Sequence, residues 1–239
     1  MNYLALCQAF VREAAMSGLT SFTTVVGATG QSGRVVNWIN QSWVDIQTLR
    51  NDWGWMRSSV LNGGGVSFAP AAADYRATLG TGAGTVGVAA DNFGRWDIHT
   101  FRNYVTTVGV TSEIRMDPIT YDQWRDAYMY GAQQTVQTRP VAIAVAPDLS
   151  LSFGPPSNGL YTITGDYFIA PTTMSADADT PTGLPVQFHM MIVYRALWKY
   201  GYYQAASEVV ERAKKEYRDL NDTLLARYSP MIETAGALS

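Results

Sequence analysis

Apolar residues recur in steps of three and four near the start of the chain, which is the spacing of an amphipathic helix. The first such set predicts a helix that ends at Ser17 and Gly18. After a loop from Leu19 to Gly33, a second set with the same period predicts a helix that continues to about Trp53. The two sets are Tyr3, Leu6, Cys7, Phe10, Val11 and Ala14, followed by Val35, Trp38, Ile39, Ser42, Ile46, Leu49 and Trp53.

The helical period returns from Leu184 onward. Pro185 suits the first turn of a helix, because the N–H group that proline lacks would have no partner there. Gly201 is a candidate kink. Beyond it, a narrow apolar seam predicts one long helix that Pro230 ends. The seam consists of Ala206, Val210, Ala213, Tyr217, Leu220 and Leu224.

The middle of the chain, about 54–179, has a different pattern. Short apolar runs alternate with glycine, proline, asparagine and aspartate, which is typical of strands and turns. The clearest strands are predicted at 139–146, 149–153 and 160–168, and a short helix is predicted at about 120–130.

These elements together predict an α+β protein. Its expected architecture is a helical bundle of two N-terminal helices and a long C-terminal helix, with a β-rich insertion between them. The helical pair is assigned to 1–57, and the β-rich insertion with one short helix to 58–180. Residues 181–228 are assigned to the long C-terminal region that packs on 1–57, and 229–239 to an extended tail.

Composition narrows the class of protein. The chain has 239 residues, of which 47% are hydrophobic, so it can bury a sizeable core. Its 17 basic and 20 acidic residues are scattered and give a net charge of −3, which disfavours direct binding to a nucleic-acid backbone. Seven tryptophans and fourteen tyrosines exceed what a core of this size usually needs, and large protein interfaces are enriched in both. No apolar run reaches the roughly 20 residues that span a bilayer.

One glycine-rich loop is a candidate binding site for a nucleotide. The sequence from Val25 to Arg34 resembles the turn at which extended short-chain dehydrogenases hold a pyrophosphate against a helix N-terminus. However, a predicted helix precedes this loop, no βαβ alternation follows it, and the chain has no Tyr-x-x-x-Lys pair. An ordered loop before the second helix is therefore the favoured interpretation.

The other candidate chemistry is weaker. Gly82–Gly87 also fits the dinucleotide pattern, but no convincing helix follows it, so a surface loop is favoured. His99 and His189 are far apart in sequence, and His189 is expected to be structural. Asp177 and Asp179 lack the glycine and glutamate of a calcium loop, and Cys7 is expected to be a buried apolar residue. We therefore expect no catalytic residue, cofactor or metal.

Three stretches of the chain carry a further likeness. The first runs from MNYLALCQAFVREAAMSG through TTVVGATGQSGRVVNWINQSWVDIQTLRNDWGWMR, and the second is ITYDQWR at 119–125. The third runs from RPVAIAVAPDLSLSFGPPSNGLYTITGDYFIAP through DADTPTGLPVQFHMMIVYRALWKYGYY. In this order they resemble the head-tail adaptor, or head-tail connector, proteins of tailed bacteriophages.

The resemblance implies a structural protein of the virion, at the junction of head and tail. It implies a homo-oligomeric ring of twelve copies that binds the portal protein, carries tail or nozzle proteins, and lets DNA pass without sequence-specific binding. No contact with a membrane is expected. Within the tail, Met231, Ile232 and Leu238 are the predicted portal-docking residues. Two alternatives stay open: a phage stopper or tail-completion protein, and a nucleotide-binding oxidoreductase that uses the Gly27–Gly33 loop.

Overall fold

The structure is a computed structural model that describes residues 1–16, 22–59, 66–68, 76–80 and 85–228, with 66–68 as backbone only. In these residues the helices are α1 (Tyr3–Glu13), α2 (Gly30–Thr48), α3 (Tyr121–Tyr128), α4 (His189–Tyr203) and α5 (Ser207–Tyr228). The chain forms two compact units. The helical unit comprises Met1–Met56 and Pro171–Ser239, and the sheet unit comprises Arg57–Ala170.

Helix α4 is the centre of the helical unit, because α1, α2 and α5 all pack against it. Its sequence HMMIVYRALWKYGYY is apolar around most of its circumference, as expected for a helix with neighbours on several sides. The core of this unit contains, among others, Leu6, Phe10, Ile39, Trp43, Met191 and Leu197, all of which are at most 1% exposed.

The C-terminal helical region is two helices joined by a turn: the sequence pattern indicated a kink at Gly201 and a long helix beyond it, and the structure has a turn at 204–206 followed by α5. Helix α4 ends at Tyr203, and α5 begins at Ser207 after a turn in which Ala205 has φ +54°. Gly201 makes the turn compact: a Cβ atom at that position would lie 2.6 Å from Cγ2 of Val210. A side chain there would therefore force α5 away from α4.

Helix α2 begins earlier and ends earlier than the sequence pattern indicates. It starts at Gly30, inside the predicted loop, and ends at Thr48. Trp53 is nevertheless buried, because the chain turns back and places its indole against α2, where Nε1 donates to the carbonyl oxygen of Ile46 at 3.1 Å. The apolar period thus continued past the end of the helix.

Two amides of α2 hold the segment that returns to the helical unit. The amide of Gln47 donates to the carbonyl oxygen of Thr172 at 2.8 Å and accepts from the Thr172 N–H at 2.9 Å. About two turns earlier on the same face of the helix, Asn40 makes the same pair of bonds with Met174, at 2.8 and 2.9 Å. Each side chain thereby satisfies a backbone donor and acceptor as a neighbouring β-strand would.

The described residues of the sheet unit form nine strands in two sheets. The strands are β1 (Arg57–Ser59), β2 (Val66–Phe68), β3 (Arg76–Ala77), β4 (Phe93–Val105), β5 (Ile114–Arg115), β6 (Asp117–Pro118), β7 (Ala142–Val145), β8 (Leu151–Gly154) and β9 (Tyr161–Ile169). The five-stranded sheet has the order β1–β9–β4–β5, and β2 also pairs with β9; the four-stranded sheet has the order β3–β8–β7–β6. Among these strands, all pairs are antiparallel except β6 with β7.

Both sheets contribute to one hydrophobic cluster. The cluster includes Phe93, Trp96, Phe101 and Ile163 from the five-stranded sheet and Ala77, Ile143, Leu151 and Phe153 from the four-stranded sheet. Helix α3 packs on β7 and β8, and a capping box between Thr120 and Gln123 starts it. The indole of Trp124 anchors α3 by donating to the carbonyl oxygen of Phe153 at 2.9 Å.

The predicted architecture, a helical bundle of two N-terminal helices and a long C-terminal helix with a β-rich insertion, is therefore wrong. The described residues form five helices and two sheets. The strand-rich middle has its own two-sheet core, and α3 packs on a sheet. The sequence pattern indicated β7, β8 and β9, but it did not indicate β3, β5 and β6, because these three strands have only two residues each and show almost no period.

Candidate functional site

The glycine-rich loop before α2 does not have the setting of a dinucleotide site. Helix α1 precedes it, and its described residues, from Phe22 onward, form no strand. The carboxylate of Asp177 already accepts from the Val25 N–H at 2.6 Å and from the Thr24 hydroxyl at 2.9 Å. An anionic side chain of the same chain thus occupies backbone and hydroxyl donors of this loop.

Two of the remaining sequence candidates, His189 and Asp179, make hydrogen bonds within the fold. His189 is 3% exposed, and Nε2 lies 3.0 Å from the carbonyl oxygen of Leu184; burial lowers the pKa of its ring. His99 is exposed, and residues 82–84 of the second glycine motif lie outside the described residues. The Asp179 carboxylate accepts from the N–H groups of Ala176 and Ser175, which lowers its pKa. The described part of the chain contains no cluster of three His, Cys, Asp or Glu residues that could hold a metal.

Cys7 is fully buried on α1, and burial raises the pKa of its thiol to about 12. The thiolate is the form that reacts with thiol reagents. Burial blocks access to this sulfur, and its raised pKa keeps the thiol protonated, so both protect it from reaction. We expect the native protein to react with a thiol reagent at pH 8 at least about a hundredfold more slowly than the protein in denaturant, where an ordinary cysteine pKa near 8.5 applies. Absorbance on release of the reagent's chromophore measures both rates. Rapid and complete labelling of the folded protein would contradict the burial of Cys7.

An aromatic surface lies where α2 passes the C-terminal end of α4. We define it by Arg34, Trp38, Tyr200 and Tyr203. The ring centroid of Trp38 is 5.6 Å from that of Tyr200 and 5.6 Å from that of Tyr203. The Arg34 guanidinium lies 4.9 Å from the Tyr203 ring centroid and donates to the Tyr203 hydroxyl. Tyr203 remains 55% exposed. Rigid aromatic rings beside an arginine are typical of binding hot spots.

The same faces of α2 and α4 carry an excess of positive charge. Asp45 of α2 lies 3.2 Å from Nε of Arg195 and 3.0 Å from Nζ of Lys199, so one carboxylate is shared by two cations. The Arg195 guanidinium also stacks on Trp198, with 4.5 Å to the ring centroid. These pairs hold the cations in fixed positions, which favours electrostatic selection of a partner with negative charge.

A second exposed surface lies at one end of the sheet unit, where β4 ends and β9 begins. We call it the loop end and define it as residues 106–112, 131–138 and 155–160. None of these residues is charged, although 15% of the whole chain is. Four apolar side chains project there: Val108 is 60% exposed, Val110 69%, Val136 42% and Leu160 38%.

Hydrogen bonds from the side chains of Arg139 and Asn103 hold the segments of the loop end in place. The guanidinium of Arg139 donates to both Oδ1 and the carbonyl oxygen of Asn103, each at 2.8 Å, and to the carbonyl oxygen of Ser112 at 2.5 Å. Asn103 is fully buried and donates to the carbonyl oxygen of Pro140 at 2.6 Å. Two of the three loops are thereby tied to each other and to β4.

Backbone bonds connect the third loop. The N–H of Thr138 donates to the carbonyl oxygen of Pro156 at 3.0 Å, and the N–H of Thr106 donates to that of Leu160, also at 3.0 Å. The loop end is therefore a preformed surface, held in place by bonds among segments that are far apart in sequence.

The predicted portal-docking residues Met231, Ile232 and Leu238 lie outside the described residues, which end at Tyr228. Their role stays a prediction. Neither the aromatic surface nor the loop end was predicted from the sequence, although the surplus of aromatic residues and the three uncharged runs were visible there.

Comparison with known protein families decides the class of this protein. The model of the SU10 adaptor protein family matches residues 1–237, which is nearly the whole chain. The chain belongs to this family. A search of curated proteins finds no match. Because the family is a bacteriophage adaptor family, the resemblance to head-tail adaptors is confirmed, and the protein is a phage structural adaptor.

Membership in an adaptor family assigns a structural role and contacts with other head or tail proteins of the virion. This role suits the two surfaces described above, since both expose side chains that favour protein contacts. Among the described helices, none combines the length and the apolar character that crossing a bilayer demands.

Proposed function

We propose that this adaptor forms a ring of twelve copies between the portal and the tail. The ring continues the channel through which DNA leaves the head and gives tail or nozzle proteins a platform. The observation that carries the proposal is the family match over residues 1–237. The number of copies rests on the resemblance to adaptors that sit below a dodecameric portal.

The two exposed surfaces support an assembly with several partners. A closed ring needs two different surfaces on each copy, one for each neighbour, and further surfaces for the proteins above and below. The helical unit offers the aromatic surface with its fixed cations, and the sheet unit offers the uncharged loop end. The net charge of −3 supports a channel that DNA passes without adhering to its wall.

The C-terminal tail supplies the contact with the portal in this proposal. Pro230 lies two positions after the end of α5 at Tyr228, and the tail carries one charged residue, Glu233. Docking Met231, Ile232 and Leu238 into a cleft between portal subunits would contribute about 1.5–3 kcal/mol for each fully buried side chain, before the ordering cost is subtracted. Twelve tails that engage together would multiply this modest gain through avidity.

Truncation after Tyr228 tests the role of the tail. We expect a folded subunit that no longer attaches to DNA-filled heads lacking adaptor, because the apolar anchors are removed while the helices are intact. Sedimentation of heads mixed with purified protein measures attachment, and circular dichroism checks the fold.

The matched control for this experiment keeps the tail and changes only its charge. Glu233→Gln should attach as the full-length protein does, whereas serine at Met231, Ile232 and Leu238 together should reproduce the truncation. Attachment of the truncated protein at the full-length level would remove the tail from the portal contact.

Electron microscopy of the protein mixed with its isolated portal tests the position of the ring. We expect a ring seated directly on the portal. A ring that appears only after another connector protein has bound would place this chain further along, as a stopper or tail-completion protein.

A further inference from the structure

We propose that neighbouring copies in the ring join through opposite charges: Asp122 and Asp126 on α3 of one copy bind the aromatic surface of the next copy at Arg34. The inference rests on the ring described under Proposed function and assigns the two surfaces that form its repeated contact. The occupant of each surface is therefore a second copy of this chain.

Asp126 carries a charge that its own helix disfavours. It lies in the last turn of α3, where the helix dipole opposes a negative charge. Asp122 lies one turn earlier at the i,i+4 spacing, at which like charges repel each other. Asp126 is exposed, and among the described residues it forms no ion pair. A cation from a partner would offset both costs.

The other acidic residues of the described helices have a basic partner. Glu13 pairs with Arg212, and Asp45 pairs with two cations of α4. Each acidic residue of α5 has a lysine or arginine three or four positions away on the same helix. Asp122 lies 3.9 Å from Arg125. Asp126 is thus the exception among these helices, and interactions within the described part of the subunit do not explain its charge.

Arg34 is the counterpart on the helical unit. It is exposed near the N-terminal end of α2, and its guanidinium contacts the ring and the hydroxyl of Tyr203 instead of a carboxylate of the described residues. The Asp177 carboxylate accepts from Thr24 and Val25 instead. The first turn of α2 contains no acidic residue, and its N-cap makes no side-chain bond. Arg34 is therefore available to a carboxylate of another chain.

The aromatic surface also has the surrounding charge and the apolar area that such a contact needs. Helices α2 and α4 together contain three cationic side chains and one carboxylate, which are Arg34, Arg195, Lys199 and Asp45. Exposed ion pairs alone contribute little to affinity. Beside Arg34, the rings of Trp38 and Tyr203 supply apolar area that a partner can cover. The charges thus fix the orientation of the contact, and the rings exclude water from it.

A second copy of this chain satisfies both surfaces with one repeated contact. A phosphate backbone would be attracted by Arg34 but repelled by α3, and a basic protein would meet the reverse. A head-to-tail contact, which a closed ring requires, needs two different surfaces on each copy, and one lies in each unit. Ring formation should therefore weaken as salt rises from about 0.1 M to about 1 M, because the screening length falls from about 10 Å to about 3 Å.

Charge reversal on either side tests the contact. Asp126→Arg places a cation opposite Arg34, and Arg34→Glu places a carboxylate opposite Asp126. We expect each variant alone to form at least roughly tenfold fewer rings on isolated portals than the wild type, because like charges that face each other oppose association. Mass photometry counts the portals with and without a ring.

A mixture of the two variants identifies the partner. Every contact between an Asp126→Arg chain and an Arg34→Glu chain joins opposite charges again, whichever of the two contributes α3. An equimolar mixture should therefore regain rings in which the two chains alternate, as an even number of copies allows. Mixing could not repair a contact that either surface makes with another protein of the virion.

Two matched controls make the same changes of charge elsewhere. Asp91→Arg in the sheet unit and Arg218→Glu in the helical unit alter exposed residues, and both should form rings at the wild-type level. Thermal melts check the fold. Asp126→Arg should melt no lower than the wild type, because it removes the repulsion by Asp122 and suits the helix dipole. Equal loss of rings in the controls would show that assembly responds only to net charge and would overturn the proposal.

The outcomes separate failure of this inference from failure of the ring itself. If the wild type forms no ring, the proposed function fails. If the wild type forms rings and either reversed variant does so equally well on its own, the contact is refuted. Loss of rings in both variants without recovery in the mixture would also refute it and would assign the two surfaces to other proteins of the virion.

Discussion

Replacing Trp43 with alanine is expected to lower the free energy of unfolding of the helical unit by about 3–5 kcal/mol. The Trp43 side chain is fully buried on α2, and its ring stacks on that of Trp55 with 5.6 Å between centroids. Alanine would leave a large cavity among helices that cannot close around it. Denaturant melts of the wild type and the variant, followed by circular dichroism, measure the loss.

Two variants sharpen this experiment. Trp43→Phe should cost less than Trp43→Ala, because it keeps most of the ring and because Nε1 of Trp43 has no hydrogen-bond partner among the described residues. Leu49→Ala should change stability by less than about 0.5 kcal/mol, since Leu49 is 50% exposed. A loss below about 1 kcal/mol for Trp43→Ala would show that the ring is not part of the core.

Replacing Gln47 with glutamate is expected to lower the free energy of unfolding by about 2–4 kcal/mol at pH 7. Gln47 is 2% exposed, and its amide both donates to and accepts from Thr172. A carboxylate can still accept from the Thr172 N–H, but it cannot donate to the carbonyl oxygen, and it brings a negative charge toward the carbonyl oxygens of Thr172 and Trp43.

The effect of this substitution should depend on pH in a defined direction. Burial beside carbonyl oxygens raises the pKa of the introduced carboxyl in the folded state above the value near 4.3 of the unfolded chain. A protonated carboxyl can donate as the amide does. The variant should therefore approach wild-type stability near pH 4 and lose it as pH rises through the folded-state pKa.

Gln41→Glu is the matched control, because Gln41 lies on the same helix and is exposed. It should change stability by less than about 0.5 kcal/mol at either pH. Equal losses in the two variants, or a loss from Gln47→Glu that is independent of pH, would show that the bonds to Thr172 do not stabilise the fold.

The sequence predicted the apolar faces of the helices better than their ends. Four members of the second predicted set are buried in α2: Val35, Ile39, Ser42 and Ile46. The set misses Trp43, which is one position from a predicted member, and it includes Leu49, which follows the last residue of the helix. A period of three and four residues tolerates such shifts, because a helical face is broad.

The sequence indicated a kink at Gly201, but it did not indicate the exact position of the turn between α4 and α5. The chain has no proline or glycine at 204–206, and Ala205 adopts a left-handed conformation that glycine usually takes. The apolar seam begins at Ala206, at the end of the turn, and α5 folds back so that Val210 and Tyr217 are buried in the same unit as α4. Long-range packing, rather than a local signal, decides where the helix breaks.

The loop end depends on tertiary structure still more strongly. Asn103 and Arg139 are 36 positions apart, and Thr138 meets Pro156 only because β7 and β8 pair. The sequence shows three uncharged segments but gives no indication that they lie next to one another. They form one surface only because the strands that flank them are paired in this register.

The division of the helical unit into two chain segments determines the order in which the protein can fold during synthesis. All contacts of the sheet unit are available once the ribosome has added Ala170. Helices α1 and α2 emerge first, yet α4, against which both pack, is translated only after the entire sheet unit. In the nascent chain, the faces of α1 and α2 that later pack on α4 therefore stay uncovered by α4 through most of translation. Chaperones that bind exposed apolar helix faces have the longest time to bind these two helices.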